Sequence, residues 1–162
     1  MCKTRRRTNI KWSGIKRVAV AAIIAVPTLL STSVNAGSIE IKYRQAVMKA
    51  IGGHMVAMVA IINGSGNQGH LKTHADAMAA LAEMSADVFP ENSSEMDGVT
   101  RARGSIWDKP KEFAAIQNTF LNAAKKLAAF ASHNDRAATG EQLRVLGKSA
   151  CKACHTDFRT KK

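Results

Sequence analysis

The chain has 162 residues with 24 Lys and Arg against 12 Asp and Glu, a formal net charge of +12, and three cysteines. That size holds one domain with one core. Basicity of this order suggests nucleic-acid binding, but the chain has no dense basic stripe and no recognisable binding motif, so that class is set aside.

Residues 1–36 read as a cleavable export signal, because a basic stretch, an apolar run and a small-residue exit follow in order. Lys3, Arg5, Arg6, Arg7, Lys11, Lys16 and Arg17 lie in the basic stretch, residues 18–30 form the apolar run, and Val34-Asn35-Ala36 is the exit. About 13 apolar residues interrupted by Pro27 are too few for the roughly 20 of a spanning helix, so no membrane span is expected after removal of the signal. Arg6-Arg7 resembles a twin-arginine signal, but the general secretory route fits better. Cleavage after Ala36 leaves residues 37–162 with 17 basic and 12 acidic side chains, a net +5 suited to an acidic protein partner.

Apolar spacing of three and four residues runs through the mature chain, with no strict alternation, so the expected class is all-α. The first helix is expected over about residues 39–62, with Ile41, Met48, Ile51, Met55, Met58 and Ile62 on one face. Asn63-Gly64-Ser65-Gly66 ends it. A second helix, about residues 69–88, places Leu71, Ala75, Met78, Leu81, Ser85 and Phe89 inward and stops at Pro90. Residues 91–107 have no period and form the one long connection.

Asp108 is placed to cap a third helix with Pro110 in its first turn. Its inward face is Phe113, Ile116, Phe120, Ala123, Leu127 and Phe130. Thr139 and Gln142 then form a capping box for a fourth helix ending near Phe158, with Leu143, Leu146, Ala150, Cys154 and Phe158 inward. Four helices with two short connections and one long one predict an antiparallel up-down four-helix bundle.

Cys2 leaves with the signal, so Cys151 and Cys154 are the remaining cysteines in a compartment that permits disulfides. They belong to Cys151-Lys152-Ala153-Cys154-His155, a C-x-x-C-H motif. On a helix these three residues share a face, so two thiols reach one porphyrin edge while the His155 imidazole reaches its iron. A single covalent heme c is the economical explanation. A thioredoxin-like pair needs a βαβ context that is missing here. A zinc site needs further ligands, for which His70 and His74 at i and i+4 are the candidates.

The chain resembles the cytochrome c′ family over residues 39–159. The marks are Lys42-Tyr43-Arg44-Gln45, Phe89-Pro90-Glu91, Ile106-Trp107-Asp108, and Cys151 to His155 followed by Phe158-Arg159. The resemblance implies a bundle with the heme on the C-terminal helix. It also implies that a first-helix side chain faces the iron opposite His155: an aliphatic cover in the five-coordinate branch, a ligating methionine in the low-spin branch. The matching position is Met48, so a six-coordinate Met48/His155 heme is expected. His54 as axial ligand lies nearly opposite Met48 on the helix.

By the same resemblance Arg44 lies near a heme propionate, Arg159 beside the proximal histidine, and Trp107 at the heme edge. Ordinary roles compete: a solvated charge for each arginine, a core-side aromatic for Trp107. Gly52, Gly53 and Gly147 suggest close approach of a heme or a neighbouring helix.

The expected function is single-electron transfer in the periplasm, not enzymatic, with redox partner proteins docking near Lys148, Lys152, Lys161 and Lys162. The chain is expected to be a monomer or a homodimer. The alternative is a five-coordinate heme that binds or scavenges nitric oxide or carbon monoxide, which requires an iron face that Met48 leaves open.

Overall fold

A computed structural model describes residues 36–161, without the side chain of Ala36. The export-signal reading therefore lies outside the described residues. The helices are α1 (Ala36–Ile62), α2 (Leu71–Met84), α3 (Ser105–Asp108), α4 (Pro110–Ser132), α5 (Arg136–Leu146) and α6 (Ala153–Asp157). A 3-10 turn, Gln68–His70, leads into α2, and a π-helical segment, Gly147–Lys152, joins α5 to α6. Among the described residues there is no β-strand beyond one isolated bridge, Ala102 to Arg159.

α1 packs on α2, α2 on α4, α4 on α5, and α5 back on α1, which closes a ring of four. This is the expected four-helix bundle, its fourth member being the composite of α5, the π segment and α6. By length and composition alone α1 could cross a membrane. In the bundle, its buried Val47, Ile51, Met58 and Ile61 join the main core.

The α1 face is turned relative to the expected one. Val47, Ile61 and Arg44 are buried, whereas Met48, Met55 and Ile62 are half-buried against the same core. Periodicity alone weighted every apolar residue equally, and it could not place a charged residue inward. α4 follows its pattern more closely, burying Phe113, Phe120, Ala123 and Leu127.

The main core is centred on Met58, Met78, Leu127 and Leu146, all essentially inaccessible to solvent. A second, smaller cluster gathers Ala102, Ile106, Phe113 and Phe158, with Phe89, Trp107, Ile116 and Cys154 against it. Phe113 meets Phe89 and Phe158 edge to face at 4.9 and 5.3 Å between centroids, the arrangement favoured by ring quadrupoles.

Both expected caps are corrected. Asp108 is the last residue of α3, so its backbone is already helical; Lys109, at φ −125° and ψ 56°, precedes α4 without a side-chain cap. Pro110 does occupy the first turn. α5 begins three residues before Thr139, because Asp135 accepts a hydrogen bond from the Ala138 N–H at 2.9 Å. Thr139 instead donates to Asp135 O at 2.6 Å, and Gln142 donates to Ala123 O of α4 at 3.0 Å. Both supposed capping residues are thus buried ties.

Candidate heme site

Cys151 lies near the end of the π segment, and Cys154 and His155 lie in the first turn of α6. The expectation of one uniform α-helix is therefore corrected at this point. A π turn carries more residues per revolution than an α turn and recurs at functional sites. Gly147 begins it, and no heavy atom lies within 4 Å of where its Cβ would stand. The same holds for Gly52 and Gly53, so close helix packing does not explain the three glycines.

The two thiols are free and half-buried, and they back onto different apolar clusters: Cys151 on the main core, Cys154 on the aromatic one. Burial raises the pKa of Cys151; burial, then Cys151 and Asp157, push Cys154 up to about 11. Both are therefore protonated near neutral pH.

His155 is exposed, with its Nδ1 3.4 Å from Arg159 Nη1. Its pKa is lowered by desolvation first, then by the charges of Arg159 and Arg101. That favours the neutral imidazole, which is the metal-ligating form. The C-terminal end of α6 is pinned to the long connection by Arg103 N–H to Phe158 O at 3.1 Å and Thr160 N–H to Arg101 O at 2.9 Å. Tertiary hydrogen bonds therefore hold the end of the motif in place.

Arg44 is not a solvated charge: it is 3% exposed. Nη1 donates to Val88 O at 3.3 Å and Ser93 Oγ at 2.7 Å; Nη2 donates to Ser93 O at 2.6 Å and Thr100 Oγ1 at 3.1 Å. Its guanidinium also lies 4.9 Å from the Phe89 ring centroid. Burial lowers its pKa from the ordinary 12.5. The buried charge thus organises the whole connection between α2 and α3, a role the sequence reading missed. Four polar acceptors from one loop are not visible in any helical period.

Trp107 is half-buried against the aromatic cluster, and its indole Nε1 is buried without a hydrogen-bond partner. A buried, unsatisfied N–H costs about 1–3 kcal/mol, so such an atom asks for an acceptor. Met48, Arg44, Trp107 and Arg159 thus occupy four different settings: half-buried core, loop anchor, aromatic rim and exposed neighbour of His155.

These residues fit a covalently held porphyrin. Two protonated thiols and a neutral imidazole stand within one short stretch, and apolar clusters and an orphaned donor adjoin them. Cys151 and Cys154 would form the thioether links and His155 would ligate the iron.

Comparison with known proteins agrees. The family model described as Cytochrome C′ matches residues 40–159. The cytochrome c′ of Pararhodospirillum photometricum is 38% identical over 120 residues, covering 74% of this chain and 94% of that protein. Cytochrome c prime from Shewanella frigidimarina superposes with a TM-score of 0.70 at 28% identity, over 77% of this chain and 97% of that one. The nitric oxide complex of a leucine-to-alanine variant of cytochrome c prime from Alcaligenes xylosoxidans gives 0.69 at 25% identity, over 78% and 97%. With the C-x-x-C-H motif on its C-terminal helix and the family pattern running through all four bundle helices, this chain belongs to the cytochrome c′ family and binds heme c covalently.

Proposed function

We propose that this protein is an exported, periplasmic gas-binding heme protein in which His155 is the only protein ligand of the iron. Heme c held at Cys151, Cys154 and His155 would supply an iron that binds nitric oxide or carbon monoxide on its other face. The observation that carries this reading is the nitric oxide complex formed by a cytochrome c prime of the same fold.

The chain's own residues support it. Met48 is half-buried and packs against the main core, as an apolar cover does. Phe89, Phe113 and Phe158 form an apolar wall that excludes water beside Cys154. Desolvation, then the charges of Arg159 and Arg101, lower the pKa of His155 and favour its neutral, ligating form.

The test is the visible spectrum of the holoprotein, with carbon monoxide titrations of the wild type and Met48→Ala. A high-spin wild type that binds carbon monoxide, and a variant that binds it more tightly because the cover is trimmed, support the reading. A low-spin wild type that becomes high-spin in Met48→Ala overturns it and restores a Met48/His155 electron carrier.

A further inference from the structure

One polar cluster takes no part in the heme site. His54 of α1 and His74 of α2 bring their Nδ1 atoms to 2.9 Å, with ring centroids 5.1 Å apart and planes 60° to one another. Both residues are half-buried, and the packing of α1 on α2 fixes their backbones. Two imidazole nitrogens at this distance share one proton, one ring donating and the other accepting. A divalent cation can replace that proton, because both lone pairs then point at it.

We infer that His54 and His74 form a chelating site for a divalent transition metal of the zinc class, bridging α1 and α2, with His70 as a third ligand. The geometry requires little change. Two nitrogens on a tetrahedral zinc stand about 3.3 Å apart, so the 2.9 Å pair opens by about 0.4 Å.

His70 precedes His74 by one helical turn, at the i, i+4 spacing that puts two side chains on one face. Its ring is exposed, and a rotation of it toward the pair would complete the site. Among the described residues no cluster of three donors is already assembled, so binding is completed by that rotation and by water.

The neighbouring charges are compatible. Asp76, in the first turns of α2, is paired with Lys72 at 2.5 Å. The inference involves none of the residues assigned to heme and does not depend on whether Met48 ligates.

The test uses the heme-loaded protein, stripped with a chelator and titrated with zinc(II) in a calorimeter. One zinc per chain is expected. His54→Ala and His74→Ala should each raise the Kd at least about tenfold, His70→Ala should raise it less, and His133→Ala should leave it unchanged. Should an alanine variant fail to fold by circular dichroism, the glutamine variant at that position replaces it. Absence of zinc binding in the wild type, or wild-type affinity in either the His54 or the His74 variant, overturns the inference.

Discussion

Replacing Arg44 with Met keeps most of the aliphatic stem and removes the guanidinium. Ser93 O, which accepts at 2.6 Å in a fully buried residue, then loses its donor, as does Val88 O at 3.3 Å. Each stranded buried acceptor costs about 1–3 kcal/mol, and the lost contact with Phe89 costs about 0.5–2 kcal/mol. The Val88 bond is long and counts at the low end, which leaves about 2.5–6 kcal/mol in all. That is a large part of the stability of an ordinary domain. It corresponds to a melting temperature lower by about 10–24 °C for a chain of this size.

The assay is thermal unfolding of the holoprotein by circular dichroism, in a cycle with Ser93→Ala. Ser93 Oγ accepts from Arg44 at 2.7 Å and donates to Pro90 O at 2.7 Å, so the two substitutions share a partner. Their effects should fall short of additive by about 0.5–3 kcal/mol. Arg44→Lys should lie between wild type and Met, since an ammonium lacks the fork that reaches both halves of the loop. A drop of less than about 4 °C in Arg44→Met, or strict additivity with Ser93→Ala, would refute the anchoring role.

Three further outcomes are expected. Gly52→Ala should stabilise by about 0.5–1 kcal/mol, because the residue is helical and exposed with open space at its Cβ; a lower urea midpoint would reveal a surface packed against it. Leu127→Ala removes a fully buried side chain at the centre of the core and should cost about 2–5 kcal/mol in chemical denaturation. For His74 the folded pKa lies below the ordinary 6.5, so between the two values the unfolded chain binds more protons. Its contribution to stability is therefore present above pH 6.5 and lost as the pH falls through the folded value. Urea midpoints from pH 8 to pH 5 with chelator present should fall less in His74→Gln than in wild type, and equal slopes would disprove the linkage.

The fold was legible because amphipathic periodicity is a local property. Phe113, Phe120, Ala123 and Leu127 recur at helical spacing, and their burial follows from that spacing alone. The caps were less legible. Thr139 and Gln142 have the residue types of a capping box, yet Asp135 lies close enough to start the helix earlier and frees both for buried ties. Sequence spacing does not say which of two competent caps wins.

At the site, the C-x-x-C-H spacing together with the all-α pattern pointed to a covalent heme and its anchors, because only residues within about one helical turn are involved. Everything that depends on distant segments meeting was decided by tertiary structure. Arg44 reaches Ser93 and Thr100 across some 50 residues of chain, His54 meets His74 from the next helix, and Trp107 stands with an unpaired N–H against the cluster of Ala102, Ile106, Phe113 and Phe158. Local chemistry is written in neighbouring residues. Long-range contacts arise only when several amphipathic faces bury together, and the polar groups caught between them must then find partners that no single period encodes.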